Sequence, residues 1–218
     1  MPWPDLSDKR TKQLAYTMRI GFFGGSFNPI HNGHIALARE IMAEAGLQEV
    51  WFVVSPHNPL KESATLMPDS DRLAMVEQAL LGEPGMRASD CEFRMPRPSY
   101  TQHTLEMLRR DCPHDEFVLL VGADNWACFN KWRNHAEILQ HHAVAVYPRR
   151  GYTVDAGSMP QGVTLLHTSL FDVSSTQVRQ LFMAGQSVAH LVPACVEEYL
   201  KAHPQLLPRK SGDVCPAQ

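Results

Sequence analysis

Short, continuously apolar runs alternate along this chain with segments of helical period, and no other feature constrains its fold as tightly. Residues 19–24, 50–54, 116–121 and 143–147 read as buried strands, with weaker runs at 86–91 and 163–166. Between them lie helical segments at 34–45, 69–81, 101–110 and 135–140, and two more close the chain at 175–184 and 193–202. In the first, Ile35, Ala38, Ile41, Met42 and Ala45 share one face, and Gly46 stops it. Strands that are apolar on both sides of the pleat need cover on both faces. The pattern therefore predicts a single doubly wound, Rossmann-like α/β domain with a parallel sheet. In such a fold ligands sit at the carboxyl ends of the strands, so the loops after Phe23, Val54, Val121 and Tyr147 are the ones to inspect.

The chain has 218 residues, enough for one ample core without disulfides or a structural metal. The domain is expected over residues 18–207. Met18 directly precedes the first strand, so residues 1–17 read as a disordered lead-in or an upstream mis-start, and 208–218 as a flexible tail. Lys and Arg total 20 against 23 Asp and Glu, a formal charge of −3. That excludes the global basic field of a nucleic-acid polymer binder but leaves room for a small anion held by local charges. The five cysteines, Cys91, Cys112, Cys128, Cys195 and Cys215, form no C-x-x-C pair. An odd count without pairing fits reduced thiols in the cytoplasm. No apolar run approaches the length of a membrane span.

The loop after the first strand reads Gly24-Gly25-Ser26-Phe27-Asn28-Pro29-Ile30-His31-Asn32-Gly33-His34. Its two glycines are expected to admit positive φ and close approach of a ligand. Because the loop opens a helix, free N–H groups and the positive dipole end face the same space, which is a phosphate site. It lacks the third glycine of G-x-G-x-x-G and the lysine of a P-loop. In the lysine's place stand His31 and His34, two imidazoles able to donate to charge building on a phosphoryl group. Alone, Gly24-Gly25 reads as a tight turn, and the histidines as a cap and a packed ring. Far along the chain, Ser174-Ser175-Thr176 opens a second helix and Arg179 falls in its first turn, a further anion site.

These two strings resemble the H-x-G-H nucleotidyltransferase superfamily. The form G-G-S-F-N-P-x-H-x-G-H is similar to that of the bacterial nicotinate mononucleotide adenylyltransferases, and S-S-T-x-x-R is similar to their second signature. Three further segments carry the resemblance: Ser99-Tyr100-Thr101-x-x-Thr104-Leu105, Gly122-x-Asp124 followed by Lys131-Trp132, and Arg149-Arg150-Gly151-Tyr152, where Arg150 replaces the usual proline. The resemblance implies adenylyl transfer from ATP, taken with Mg²⁺, to nicotinate mononucleotide, with no resident metal site. It implies that His34, His31 and Arg179 serve the chemistry. Gly24, Gly25, Ser26, Phe27, Gly33, Gly122, Asp124, Ser174, Ser175 and Thr176 would bind ATP. Lys61, Thr101, Thr104, Trp132, Arg149 and Arg150 would bind the acceptor. Rival readings are another acceptor within the superfamily (nicotinamide mononucleotide, pantetheine phosphate or a cytidylyl-transfer substrate), a silent nucleotide-binding module, and a metal-dependent hydrolase built on the 11 histidines. His141-His142 reads as a structural pair.

Overall fold

The computed structural model describes residues 17–56 and 66–207. Their strands are β1 (Arg19–Gly25), β2 (Glu49–Val54), β3 (Met86–Ser89), β4 (Glu116–Gly122), β5 (Ala143–Tyr147) and β6 (Val163–Leu165). All pair in parallel in one sheet of order β3-β2-β1-β4-β5-β6. The helices are α1 (Asn32–Ala45), α2 (Asp69–Ala79), α3 (Thr101–Asp111), α4 (Ala123–Trp126), α5 (His135–His141), α6 (Ser175–Met183) and α7 (Ala194–Ala202). The expected elements are thus present, and α4, a single turn directly after β4, is an addition. The expected lead-in over 1–17, apart from Thr17, the expected tail over 208–218 and the site residue Lys61 lie outside the described residues.

The period of two along each strand divides the core. Phe23, Val50, Phe52, Val54, Val118, Leu120, Ala145 and Tyr147 face one layer, against α1, α2, α6 and α7. Their neighbours Ile20, Phe22, Trp51, Val53, Phe117, Leu119, Val121, Val144 and Val146 face the other, against α3 and α5. This is why the strands read as unbroken apolar runs: every residue has an apolar layer to enter. No helix among the described residues is long and apolar enough to cross a membrane.

The strand order places the topological switch between β1 and β4. The chain leaves β1 toward β2 and leaves β4 toward β5, so the loops at their carboxyl ends part and open a crevice. The glycine loop and the Gly122-Ala123-Asp124 segment both start there. Below the first helix, Gly46 takes φ 62° and donates its N–H to the Met42 carbonyl, ending α1 as its sequence position suggests.

Gly85, in the turn before β3, has φ 71°, and a Cβ there would lie 2.8 Å from the Gln48 carbonyl oxygen and 2.5 Å from Met42 Cε. The left-handed conformation alone costs a non-glycine residue about 1–2 kcal/mol. Gly85→Ala is expected to lower the unfolding free energy by at least that much, read in urea melts as a lower midpoint with an unchanged slope of the transition.

Candidate active site

The turn from β1 into α1 is built differently from the sequence expectation in one respect. Gly24 and Gly25 are strand residues with ordinary φ, and the left-handed position is Phe27, at φ 42°. A bulky residue held there stores local strain of the order of 1–3 kcal/mol, and surrounding contacts must hold it. The Phe27 ring supplies them: its centroid lies 5.7 Å from that of Phe23, 5.4 Å from Phe52 and 5.1 Å from the His34 ring. The two glycines serve close approach instead, since both line a cavity.

His31 is the N-cap of α1, with extended backbone at φ −145°. Its N–H donates to His34 Nδ1 at 3.2 Å, and the His34 N–H donates to the His31 carbonyl at 2.9 Å. The two rings stack at 3.6 Å. Because Nδ1 of His34 accepts a bond, the proton of its neutral ring sits on Nε2, which becomes the donor. His31 is 6% exposed, and its Nδ1 is buried without a partner among the described residues. Burial, with the Arg149 charge adding to it, lowers its pKa to about 4. The intervening Gly33 has a packing reason: a Cβ would collide with Val173 and press on Phe171. The glycine lets the chain before α6 lie directly on the start of α1.

The second motif is stitched to the first. Ser174 is the N-cap of α6 and accepts from the Gln177 N–H at 3.1 Å. Ser175 Oγ donates to the Pro29 carbonyl at 2.9 Å, and Arg179 Nη1 donates to the Asn28 carbonyl at 2.7 Å. Arg179 Nη2 reaches Thr176 Oγ1 at 3.2 Å. Two of Arg179's nitrogens are thus engaged with the chain, leaving further N–H groups for a ligand.

Two cavities open at the carboxyl end of the sheet. One, of about 290 Å³, is lined by Gly24, Gly25, Tyr100, Thr101, Lys131 and Trp132, among others. The other, of about 420 Å³, holds His31, Gly33, His34, Arg149, Arg150 and Ser174. Gly122 lines the first and Asp124 the second, so the end of β4 stands between them. A Cβ at Gly122 would collide with Asp124 and lie 3.0 Å from Arg149 Nε. Asp124 pairs with Arg149 at 3.6 Å, and the more exposed Arg150 pairs with Asp172 at 3.5 Å. Both arginines therefore line the cavity of the histidines, apart from that of Thr101 and Trp132. Burial raises the pKa of Tyr147, over which the Arg149 guanidinium lies at 5.3 Å.

In the first cavity the Thr104 hydroxyl is turned away. Thr104 is fully buried, and its Oγ1 donates to Glu92 Oε1 at 3.0 Å. Ser99 Oγ donates to the other oxygen of Glu92 at 2.7 Å. Trp132 packs on Phe129 with centroids 5.1 Å apart, and its Nε1 is buried without a partner among the described residues. Sequence reasoning missed Glu92 and Arg133, and gave Tyr100 only as part of the resembling segment without a site role; all three line this cavity. Arg133 lies over the Tyr100 ring at 4.7 Å. Its signal was adjacency to Trp132. Glu92 announces itself only through the two hydroxyls that follow it, since a buried carboxylate needs donors. His141 and His142 stand at the amino end of β5, away from both cavities.

The His31 shift has a pH consequence with a definite sign. Its folded pKa lies below the ordinary 6.5, so between about 6.5 and 4 the unfolded chain binds the extra proton. Stability is expected to fall as pH drops through that window, by up to about 3 kcal/mol. Denaturant melts from pH 7 to pH 4 should show a steeper loss in the wild type than in His31→Asn.

The comparisons with known proteins agree with this geometry. Residues 22–181 match the model of the cytidylyltransferase-like family. A protein of Bacteroides fragilis named a probable nicotinate-nucleotide adenylyltransferase is 44% identical over 178 residues, 82% of this chain and 89% of that protein. One of the same name from Bacteroides thetaiotaomicron is 42% identical over 85% of this chain and 92% of its own length. Among solved structures, Plasmodium falciparum nicotinic acid mononucleotide adenylyltransferase, complexed with NaAD, superposes with a TM-score of 0.71 at 17% identity, covering 87% of this chain and 97% of that one. That last likeness bears on the fold. The family match and the two bacterial relatives together place the chain among the nicotinate-nucleotide adenylyltransferases of the cytidylyltransferase-like family.

Proposed function

We propose that the enzyme transfers the adenylyl group of ATP to nicotinate mononucleotide, giving deamido-NAD and pyrophosphate, a step of NAD biosynthesis. The observation that carries this reading is the pair of cavities on either side of the end of β4, joined by one glycine loop. Two anionic substrates have to meet there, and the loop touches both.

The acceptor's 5′-phosphate oxygen attacks the α-phosphorus of ATP in line. The bond from that phosphorus to the β-bridging oxygen breaks, and its electron pair leaves with pyrophosphate. The attacking oxygen is already anionic at neutral pH, so no side chain has to remove a proton. Catalysis then consists of positioning and of neutralising charge. His34 donates from Nε2 to the α-phosphoryl oxygens, with His31 beside it. N–H groups of Ser26 and Phe27, at the turn, assist. Arg149 and Arg150 add positive charge on the same side, and the start of α6, from Ser174 to Thr176, takes the outer phosphates with Arg179. Mg²⁺ enters as part of the substrate, bound to ATP phosphate oxygens and water.

The acceptor's pyridine ring occupies the first cavity, between Tyr100 and Trp132. Its carboxylate faces Lys131, Arg133 and the start of α3, where Tyr100 as N-cap makes no side-chain cap bond and Thr101 follows. Lys61 serves the acceptor phosphate. Asp124 serves the ATP ribose. We place the reaction in the cytoplasm, where the four described cysteines, all free, stay reduced.

His34→Ala is expected to lower kcat by about 10²–10³, the usual cost of losing one donor to developing charge. Pyrophosphate release at saturating substrates measures it, and a loss below about tenfold would remove His34 from that role. Offered nicotinate and nicotinamide mononucleotides in parallel with ATP and Mg²⁺, the enzyme is expected to prefer the acid strongly. Equal or reversed preference would keep the phosphate chemistry and overturn the acceptor. Product from neither would turn the assay to pantetheine phosphate and cytidylyl-transfer substrates, and failure of those would return the silent-module reading.

A further inference from the structure

Arg72, on α2, is the largest fully buried side chain of the described residues. Among those residues it has no carboxylate at ion-pair distance; the nearby Asp69 pairs with Arg97 instead. Its guanidinium donates to four backbone carbonyls. Nη1 reaches Ser26 at 2.6 Å and Ser55 at 2.8 Å, Nη2 reaches Pro56 at 3.1 Å, and Nε reaches Met67 at 2.9 Å. Those carbonyls belong to the glycine loop, to the chain leaving β2, and to the residue that precedes the N-cap of α2. Two more bonds join the same segments: the Ser55 N–H donates to the Gly25 carbonyl at 2.9 Å, and the Met67 N–H donates to Asn28 Oδ1 at 3.0 Å.

Burying a charge without a counter-charge is costly, and an apolar side chain of similar volume often serves stability as well or better. What methionine cannot do is fix four carbonyls from three segments in one plane. A lysine offers three donors from a single point, so it can hold only part of the set. Burial brings the Arg72 pKa down to about 10, which still leaves it charged at neutral pH.

We propose that Arg72 is a positioning residue for adenylyl transfer, locking the glycine loop against the end of β2 so that the two cavities keep the separation in-line attack requires. The inference rests on the reaction proposed above. A misplacement of about 1 Å away from the chemistry can cost about 10²-fold in rate, and Arg72 controls placement of that kind.

The test uses the full chain carrying Arg72→Met, Arg72→Lys or Tyr199→Phe. The last removes the hydroxyl that donates to Asp71 Oδ1 at 2.8 Å, a bond to the same helix outside both cavities, and serves as the stability control. Folded fraction, melting temperature, kcat and both KM values are measured, along with amide exchange at Ser55 by NMR. In Arg72→Met, kcat per folded molecule is expected to fall by about 10²-fold. Arg72→Lys should recover part of it, Ser55 exchange should quicken in both, and Tyr199→Phe should melt earlier with unchanged kcat. A kcat for Arg72→Met close to wild type overturns the proposal, as does an equal kcat loss in Tyr199→Phe or failure of both Arg72 variants to fold. If the wild type makes no dinucleotide, the proposed reaction fails, and Ser55 exchange decides positioning alone. Faster exchange in Arg72→Met than in Tyr199→Phe supports it; equal exchange overturns it.

Discussion

A turn that offers its N–H groups to anions must have its carbonyls satisfied from elsewhere, and the segment between β1 and α1 meets that demand with side chains from two helices. Arg72 of α2 takes the Ser26 carbonyl, while Arg179 and Ser175 of α6 take those of Asn28 and Pro29. Buried carbonyls left without partners would each cost about 1–3 kcal/mol, enough to collapse the loop onto other donors. Elements far apart in sequence are therefore bound to one short turn. The arrangement also accounts for the left-handed Phe27: the chain on both sides of it is held, and its ring is wedged among aromatic neighbours. The second motif is thus part of the scaffold of the first as well as a candidate ligand site.

The overall architecture was legible because the physical causes are local. Continuous apolar strands, a helix period between them and Gly46 at a helix end each follow from a few adjacent residues. The pairing of the two phosphate motifs was legible only through resemblance, since their bonds span more than a hundred residues of sequence. Side-chain direction was the least visible level. Thr104 sits on α3 as expected, yet its hydroxyl serves Glu92, because a buried carboxylate competes for every donor within reach. Arg149, expected to meet the acceptor, pairs with Asp124 on the histidine side of the β4 end, where the acceptor phosphate of the proposed reaction would lie. Nothing in the local pattern says which side of a strand end an arginine will take. The glycines of the loop were identified, but φ values depend on the whole turn, and the strained position passed to phenylalanine.

Electrostatics in the histidine cavity divide into two tasks. Arg149 and Arg150 bring full charge, and Arg149 helps to keep His31 neutral. A neutral imidazole whose Nδ1 is tied to backbone is a donor with fixed direction, which a flexible ammonium is not. In the proposed reaction the field would thus come from the arginines and the aimed hydrogen bond from His34. The overall charge of −3 is no obstacle, because the cations are gathered where the phosphates would lie.

The same logic bears on acceptor choice. Glu92 places a carboxylate in the wall of the first cavity, where a nicotinate carboxylate would be repelled if that charge were open to it. Both of its oxygens are engaged by hydroxyls, and it is 4% exposed. Those two bonds fix Ser99 and Thr104 on either side of the N-cap of α3, whose start lines the cavity. In the proposed binding mode Lys131 and Arg133 would meet the ring's substituent with little opposition. An acid in the wall of that cavity is compatible with the proposed acidic acceptor, because the Glu92 carboxylate is inward-bonded while the helix start and the cations line the cavity. The proposed selectivity would need this segment to be rigid, and Glu92 would then be a structural condition for recognition it does not itself perform.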